Sequence, residues 1–385
     1  MAKRILISGG LAGGGVQTHV THLYKLLRGH GAEVTIAAVS THWSGDDLRA
    51  ARQAGVDIVV TPWRYGVASV LGKAQAVATW RLKMRRDFDV LYCIGHGRMH
   101  SWLRRFVKEG GVAVYHESGS HPERESVAAR VAAEMDFIVA SSSPIAKEMG
   151  RVLPGHAIKV IPFITSDRAT AAPARKRAVG DGVLRVSYLG RLVRSKQPDW
   201  LVREWRSMAG RAPVAPARLD VYGSDDPGEP LLAEMQAFIN AEGLGSQIKL
   251  HGAYRHTDVS SILERTDLVA LPSRTEGLPL VLVEAMRHGV PFVAMSAGGV
   301  AELGEGNADV EIVPVDNDAF REGLARAARK VRSGQINSGR LHQFAESRYG
   351  AQYVNARWRA ALLDADVFWK EGRESGGALT AAGRR

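Results

Sequence analysis

The sequence predicts an α/β protein made of two successive doubly wound parallel sheets. Short apolar runs alternate with helix-length segments along most of the chain, the pattern of parallel strands joined by crossover helices. A glycine-rich turn follows the first run, as at the opening of a doubly wound sheet. The periodicity is lost over 162–183, an Ala-, Arg- and Pro-containing stretch, and the alternation then begins again.

The totals agree with two soluble domains. A chain of 385 residues is long enough for two cores, and 45% hydrophobic with 24% charged residues is ordinary for globular proteins. No apolar run approaches the roughly 18 residues needed to span a bilayer. The N-terminus has Lys3 and Arg4 and then only a short apolar run, which does not read as a signal peptide. Cys93 is the only cysteine, so an internal disulfide and a cysteine-cluster metal site are excluded, and a buried free thiol at a strand end is expected. Together these point to the cytoplasm. The net charge of +11 is concentrated early: residues 1–165 carry 21 Lys and Arg against 13 Asp and Glu. Basic residues cluster over 81–86 and at Arg98, Arg104, Arg105 and Lys108, with Trp80, Met84, Trp102 and Phe106 among them. Such a surface suits an anionic membrane, here the inner face, or a solvated face with no partner; no nucleic-acid motif is present.

In order, residues 4–8 read as a buried strand, followed by a loop with Gly9, Gly10, Gly13, Gly14 and Gly15. A helix follows with Val16, Val20, Leu23 and Leu27 on one face, ending near Gly29–Gly31, with His19 and His22 expected to decorate its surface. The glycines do not fall as G-x-G-x-x-G. The second strand, 33–39, ends in Ser40 and Thr41 with no acid for a dinucleotide ribose. Gly13–Gly15 instead allow close backbone approach to a ligand, or form a purely structural turn. Further strands are expected at 57–60, 89–94, 112–115, 136–140 and 158–161. The strand at 112–115 runs into His116, which is a site candidate if it lies just past the carboxyl end; a structural strand-end histidine is the plain alternative. His96 and His100 are weaker candidates of the same kind.

The second half places strands at 185–190, 218–222, 247–251 and 268–272, with helices near 229–241 and 257–265. Arg191 and Lys196 lie in a strand-to-helix loop, where they either neutralise a diphosphate or face solvent. The most informative stretch is 275–294. Gly277 leads to Pro279 as the expected first helical residue, then an apolar helix stopped by Gly289 and a buried strand ending at Ala294. The helix start suits a phosphate. Glu276 before it and Glu284 inside it are placed to accept hydrogen bonds from hydroxyls, or are ordinary helix-start and surface acids. Gly298, Gly299 and Glu302 open a further helix. The last helical segment carries Phe344, Tyr349, Tyr353, Trp358, Leu362, Leu363, Phe368 and Trp369, an aromatic face that must pack on something.

Two α/β halves, a glycine-rich first loop, Arg191 five residues before Lys196 after a strand, and Glu276 eight residues before Glu284 together resemble a GT-B glycosyltransferase of the retaining family 4 type. The resemblance implies two Rossmann-like domains: 1–165 on the acceptor side, a linker at 166–183, a nucleotide-binding domain at 184–350, a helix at 351–372 bridging the domains, and a disordered tail at 373–385. It implies transfer of a hexose from a nucleoside diphosphate sugar, UDP-sugar foremost, to a saccharide, lipid-linked or small-molecule acceptor. By that similarity Arg191 and Lys196 neutralise the diphosphate, and Glu284 takes the ribose hydroxyls. Glu276 and His116 contact the sugar. Backbone around Gly277, Leu278 and Leu280 meets phosphate, Tyr254 lies where the base is held by backbone, and Gly13, Gly14 and Gly15 close on the donor. No metal or other cofactor is implied, and no Asp-x-Asp is present. Glu276 positions the donor and is not the nucleophile. The chain departs from the family at Pro162–Asp167, where Pro-Asn-Gly-Val-Asp is usual, and at 310–314, where Gly-Leu-Leu-Val-Pro is usual. An epimerase on the same fold and a silent sugar-nucleotide-binding scaffold are the alternatives.

Overall fold

The computed structural model describes residues 2–9, 14–39, 53, 55–61, 87–95, 99–119, 125–165, 182–210, 213–226 and 228–369. The chain divides into two compact units: Met1–Asp167 with Val354–Arg385, and Arg168–Tyr353.

The first unit carries β1 (Arg4–Gly9), β2 (Glu33–Val39), β3 (Asp57–Thr61), β4 (Phe88–Ile94), β5 (Val107–Glu117), β6 (Phe137–Ala140) and β7 (Ile158–Val160). They form one sheet in the order β3-β2-β1-β4-β5-β6-β7, every described pairing parallel. The crossovers include α1 (Gly14–Gly29), α2 (Met99–Leu103), α3 (Glu125–Ala133) and α4 (Ser143–Val152). The winding reverses between β1 and β4, the switch point of such a sheet. Backbone there is so close that only glycine fits at position 9: φ is +121°, and a Cβ would lie 1.8 Å from the Ile94 carbonyl oxygen. Ser8 Oγ and His100 Nδ1, 3.0 Å apart, fasten α2 onto β1.

β5 is longer than the run at 112–115. It is paired on both sides at its end, Ile94 opposite His116 on β4 and Val139 opposite His116 on β6, so the strand continues to Glu117. His116 therefore lies within the strand and not past its end, which corrects the expected position. Cys93 is a buried free thiol one residue before the end of β4.

The second unit carries β8 (Leu184–Leu189), β9 (Ala217–Tyr222), β10 (Ile248–Gly252), β11 (Leu268–Leu271), β12 (Phe292–Met295) and β13 (Glu311–Val313). Their order is β10-β9-β8-β11-β12-β13, again with every described pairing parallel. Helices α5 (Pro198–Ala209), α6 (Leu231–Ala241), α7 (Val259–Leu263), α8 (Leu280–Arg287), α9 (Asn317–Arg332) and α10 (Ser338–Tyr349) complete it. α5 shows how sequence makes these elements. Pro198 stands in the first turn, where a missing N–H costs nothing, and Leu201, Val202, Trp205 and Met208 form one buried face. The segment at 298–303 is a 3-10 turn, not a full helix. β13 and α9 are additions to the expected elements. The chain then enters α11 (Ala351–Leu363), whose residues up to Tyr353 group with the second unit and whose remainder groups with the first. The terminal helix is interrupted at Asp364, which leaves helical geometry (φ −109°, ψ 33°), and resumes as α12 (Ala365–Phe368). Residues 370–385, including the expected tail, and most of the linker lie outside the described residues.

An ion pair between the buried Asp309 and the half-exposed Arg340 closes the foot of the second unit. Asp309, 2% exposed, accepts from the Asn337 N–H at 2.8 Å and from Arg340 Nη2 at 2.7 Å, tying the turn before β13 to the start of α10. Replacing Asp309 by Ala removes the partner of the Asn337 N–H and of the Arg340 guanidinium. The expected outcome is a lower urea midpoint with an unchanged slope.

Candidate functional site

In the second unit the carboxyl ends of β8 and β11 meet at the switch point. Arg191 follows β8, and Lys196 closes a 3-10 turn at Arg194–Lys196. Glu276 and Gly277 follow β11, and α8 starts at Leu280 with Pro279 as its cap. Pro279 is thus one position before the helix rather than its first residue, because its ψ of 109° is extended. Lys196 Nζ lies 2.8 Å from Glu276 Oε2 and also donates to the Thr275 carbonyl. The Arg274 N–H donates to the Ser195 carbonyl at 2.8 Å. The two loops are thereby joined by charge and by backbone. Both side chains of the pair are largely buried, 16% exposed for Lys196 and 10% for Glu276, so salt screens them little.

Glu276 is held from behind as well. Gly298 has φ +54°, a Cβ there would fall 1.8 Å from the Glu276 carbonyl oxygen, and the Gly299 N–H donates to the Gly277 carbonyl at 2.6 Å. The first turn of α8 leaves backbone N–H groups without intrahelical acceptors, beside Lys196 and Glu276. Glu284 lies a turn into the same helix, 8% exposed, with its Oε1 2.7 Å from His256 Nε2. Arg191 is half exposed and pairs with Asp226 at 2.6 Å. Tyr254 is half-buried, edge-on to Tyr222, and its phenol is pushed up by burial and then by the Glu284 charge. Leu278 is buried and Leu280 half-buried, so their side chains pack while their backbone faces the turn.

This brings Arg191, Lys196, Glu276, Gly277, Leu278, Leu280, Glu284 and Tyr254 into one unit around one sheet end. Sequence reasoning missed three neighbours. His256 holds Glu284 and Asp226 holds Arg191. Ser273, 1% exposed at the end of β11, has an Oγ with no hydrogen-bond partner among the described residues. The position of Ser273, between a strand and a glycine-containing helix start, is the one signal that was available for it.

In the first unit, Gly14 and Gly15 are the first residues of α1, not a loop, while Gly13 and His96 lie outside the described residues. The buried face of this helix is Val20, Leu23 and Leu27, and the helix lies against β2. His100 bonds Ser8 and the Gly95 carbonyl. His19 does not decorate the surface: it is fully buried, 2.9 Å from the Tyr92 hydroxyl and stacked on Phe163. That hydroxyl lies 2.6 Å from His116 Nδ1. His116 is itself fully buried, and burial lowers its imidazole to about 3. Of the basic cluster, Arg104 is paired with Asp136 at 2.6 Å and Lys108 with Asp89, while 81–86 and Arg98 are outside the described residues. Next along β5, Glu117 is 4% exposed and accepts from the Tyr115 hydroxyl and the Gly119 N–H, each at 3.1 Å. Burial pushes its carboxyl up to about 7, those two hydrogen bonds opposing.

A carboxyl raised on folding favours the folded state while protonated and loses that contribution as pH rises toward about 7. Glu117→Gln is therefore expected to match the wild-type melting temperature at pH 5 and exceed it at pH 8. His116 has the opposite sign: its contribution is present above about 6.5 and is lost as pH falls toward about 3. Melting curves of His116→Gln should accordingly flatten the acid limb between those values.

Comparison with known proteins bears on the family and the fold. The family model described as Glycosyltransferase Family 4 matches residues 13–163, and the model described as Glycosyl transferases group 1 matches residues 183–330. A D-inositol 3-phosphate glycosyltransferase of Corynebacterium kroppenstedtii is 31% identical over 137 residues, 35% of this chain and 30% of that protein. An alpha-D-kanosaminyltransferase of Streptomyces kanamyceticus is 27% identical over 169 residues, 42% of each. The matches thus span well under half of these relatives' own length. Among solved structures, the Anabaena protein HepE in complex with UDP and glucose is similar at a TM-score of 0.73 and 18% identity, covering 94% of this chain and 100% of that one. The sucrose-phosphate synthase of Thermosynechococcus elongatus gives 0.75 and 16%, covering 95% and 99%. At such identities these two speak for the fold. The two family models together span well over half of the sequence, one on each α/β unit, and the chain belongs to the GT-B glycosyltransferases of the family 4 type.

Proposed function

We propose that the chain is a retaining glycosyltransferase that moves a hexose from a nucleoside diphosphate sugar, a UDP-sugar foremost, to a saccharide, lipid-linked or small-molecule acceptor in polysaccharide or glycoconjugate biosynthesis. The observation that carries this reading is the Lys196–Glu276 pair set against the start of α8, with Glu284 one turn deeper. The UDP and UDP-glucose complexes of HepE support UDP as the nucleotide.

The chemistry asked of such a site is electrostatic. As the bond from sugar to phosphate breaks, the leaving diphosphate gains negative charge. Lys196, Arg191 and the N–H groups at the start of α8 meet that charge with dipoles and cations already in place. To do so Lys196 shares its ammonium between Glu276 and phosphate, and Arg191 turns from Asp226. Glu284, held through one oxygen by His256, receives the ribose hydroxyls, and the backbone near Tyr254 receives the base. Glu276, anchored by Lys196 and by the Gly298–Gly299 turn, positions the hexose and is not the attacking group. In the first unit, His116 is proposed to meet a substrate oxygen. Fixed cations supply the charge, so no metal is required.

A thermal-shift screen against UDP-, GDP- and ADP-hexoses should raise the melting temperature with one nucleotide class; no shift with any of them sinks the reading. With that donor, Lys196→Ala is expected to lower kcat/KM by about 10²–10³. Glu276→Ala should also lose turnover by orders of magnitude, an unaltered variant counting against its role. EDTA should leave the rate unchanged, and proton NMR of the product should show the donor's anomeric configuration retained. We also propose that the basic first unit docks on an anionic membrane. The full chain should then pellet with phosphatidylserine vesicles at low salt, and absence of binding rejects the docking.

A further inference from the structure

Three side chains and one backbone amide form a hydrogen-bonded chain inside the first unit. The Ile164 N–H donates to His19 Nδ1 at 3.1 Å, so that nitrogen carries no proton. Burial, the nearby His116 and then His22 hold the His19 imidazole well below its usual range, and the ring is neutral. Its proton is therefore on Nε2, which donates to the Tyr92 oxygen at 2.9 Å. The Tyr92 phenol, pushed up by burial, keeps its proton and has one direction left for it, His116 Nδ1 at 2.6 Å. His116 is neutral for the same reason of burial, and with Nδ1 accepting, its proton stands on Nε2. That Nε2 is buried with no hydrogen-bond partner among the described residues. The opposite direction leaves the Tyr92 proton without an acceptor, so the amide of Ile164 sets the tautomer of a ring two side chains away.

We propose that His19 and Tyr92 are positioning residues that lock His116 in its Nε2–H form, so that His116 offers a substrate oxygen a neutral hydrogen-bond donor and does not act as a base. The substrate half of the statement rests on the glycosyltransferase reading above. The ligand chemistry is an oxygen acceptor, a sugar hydroxyl or phosphoryl oxygen, reached one residue from the carboxyl end of β5. A buried donor left unpaired is unfavourable, and the surroundings hold it rather than satisfy it. Phe163 and Trp358 cover the ring at centroid distances of 5.0 and 5.2 Å, and Trp358 is held by its Nε1–H to the Pro162 carbonyl at 2.8 Å. His116 Nδ1 has no lone pair to spare for a proton, which separates this histidine from a general base.

The lock is read in the substrate-free full chain labelled with ¹⁵N-histidine, where ring nitrogen shifts and two-bond couplings report the tautomer. His116→Gln identifies the resonance. The expected wild-type spectrum is neutral with the proton on Nε2 down to pH 5; a proton on Nδ1 overturns the proposal. Tyr92→Phe removes one hydroxyl from a folded core and should give a mixture of tautomers. It should also lower kcat/KM at least tenfold with the sugar nucleotide selected by the thermal-shift screen. An unchanged spectrum and rate overturn the lock. If Tyr92→Phe fails to fold, His19→Gln, which keeps a donor toward Tyr92 but loses the acceptor for Ile164, is measured in its place. His116→Gln retains an N–H near the ε position and should keep more turnover than His116→Phe by tenfold or more. Equal rates for the two overturn the donor role. A wild type with Nε2–H that turns over no sugar nucleotide supports the lock and sinks the transferase reading alone.

Discussion

The second unit's site depends on one ion pair between two loops that are far apart in sequence. Lys196 after β8 and Glu276 after β11 are brought together because a doubly wound sheet places those strand ends side by side. The pair is partly sequestered, so neither charge is expendable: removing one leaves the other in a poorly solvated place. From it follow the direction of the Thr275–Gly277 backbone, the point at which α8 begins, and the depth at which Glu284 enters. Gly298 secures the same backbone from the far side, where any larger residue meets the Glu276 carbonyl.

The first unit uses a different principle. The hydrogen bonds around His116 run through two neutral imidazoles and one phenol, whose donor and acceptor roles are set in sequence from a single amide. Such an arrangement keeps its geometry across a wide pH range because burial keeps both histidines neutral. It sits on β4, β5 and α1, with Phe163 beyond β7 and Trp358 on α11 closing it. The aromatic character of the C-terminal segment thus has its explanation inside this unit: Trp358 covers histidines and Trp369 stacks on Phe137 at 4.5 Å.

Much of this was legible in the sequence, and what was not shares a cause. The strands were visible because parallel strands buried on both faces are continuous apolar runs, and α8 because Gly277, Pro279 and Gly289 punctuate it. β13 was not, since Glu311–Val313 is short and pairs only with β12. α9 does carry its signals, a capping Asp316 and the spacing of Phe320, Leu324, Ala327 and Val331 on one buried face. The candidate site was legible where its residues are close in sequence, as Glu276 and Glu284 are. His19 looked like surface because its partners Tyr92 and Ile164 are 73 and 145 residues away. Asp226 and His256 were silent for the same reason: a lone acid or histidine has no pattern until its partner is placed.

The pairing of Arg191 with Asp226 has a consequence for selectivity. Together with Lys196 and Glu276, it means that each cation of the site already holds a carboxylate. The resting site is therefore close to neutral and is no general trap for anions. A ligand with one negative charge can compete for only one of the two carboxylates' places, while a diphosphate presents charge to both cations at once. The acids act as a threshold: chloride or a monocarboxylate gains too little to displace them, and a doubly charged bridge gains enough. Discrimination against the commonest small anions of a cell is then a property of two carboxylates, of which Asp226 has no part in the proposed reaction and Glu276 has a second one in placing the sugar.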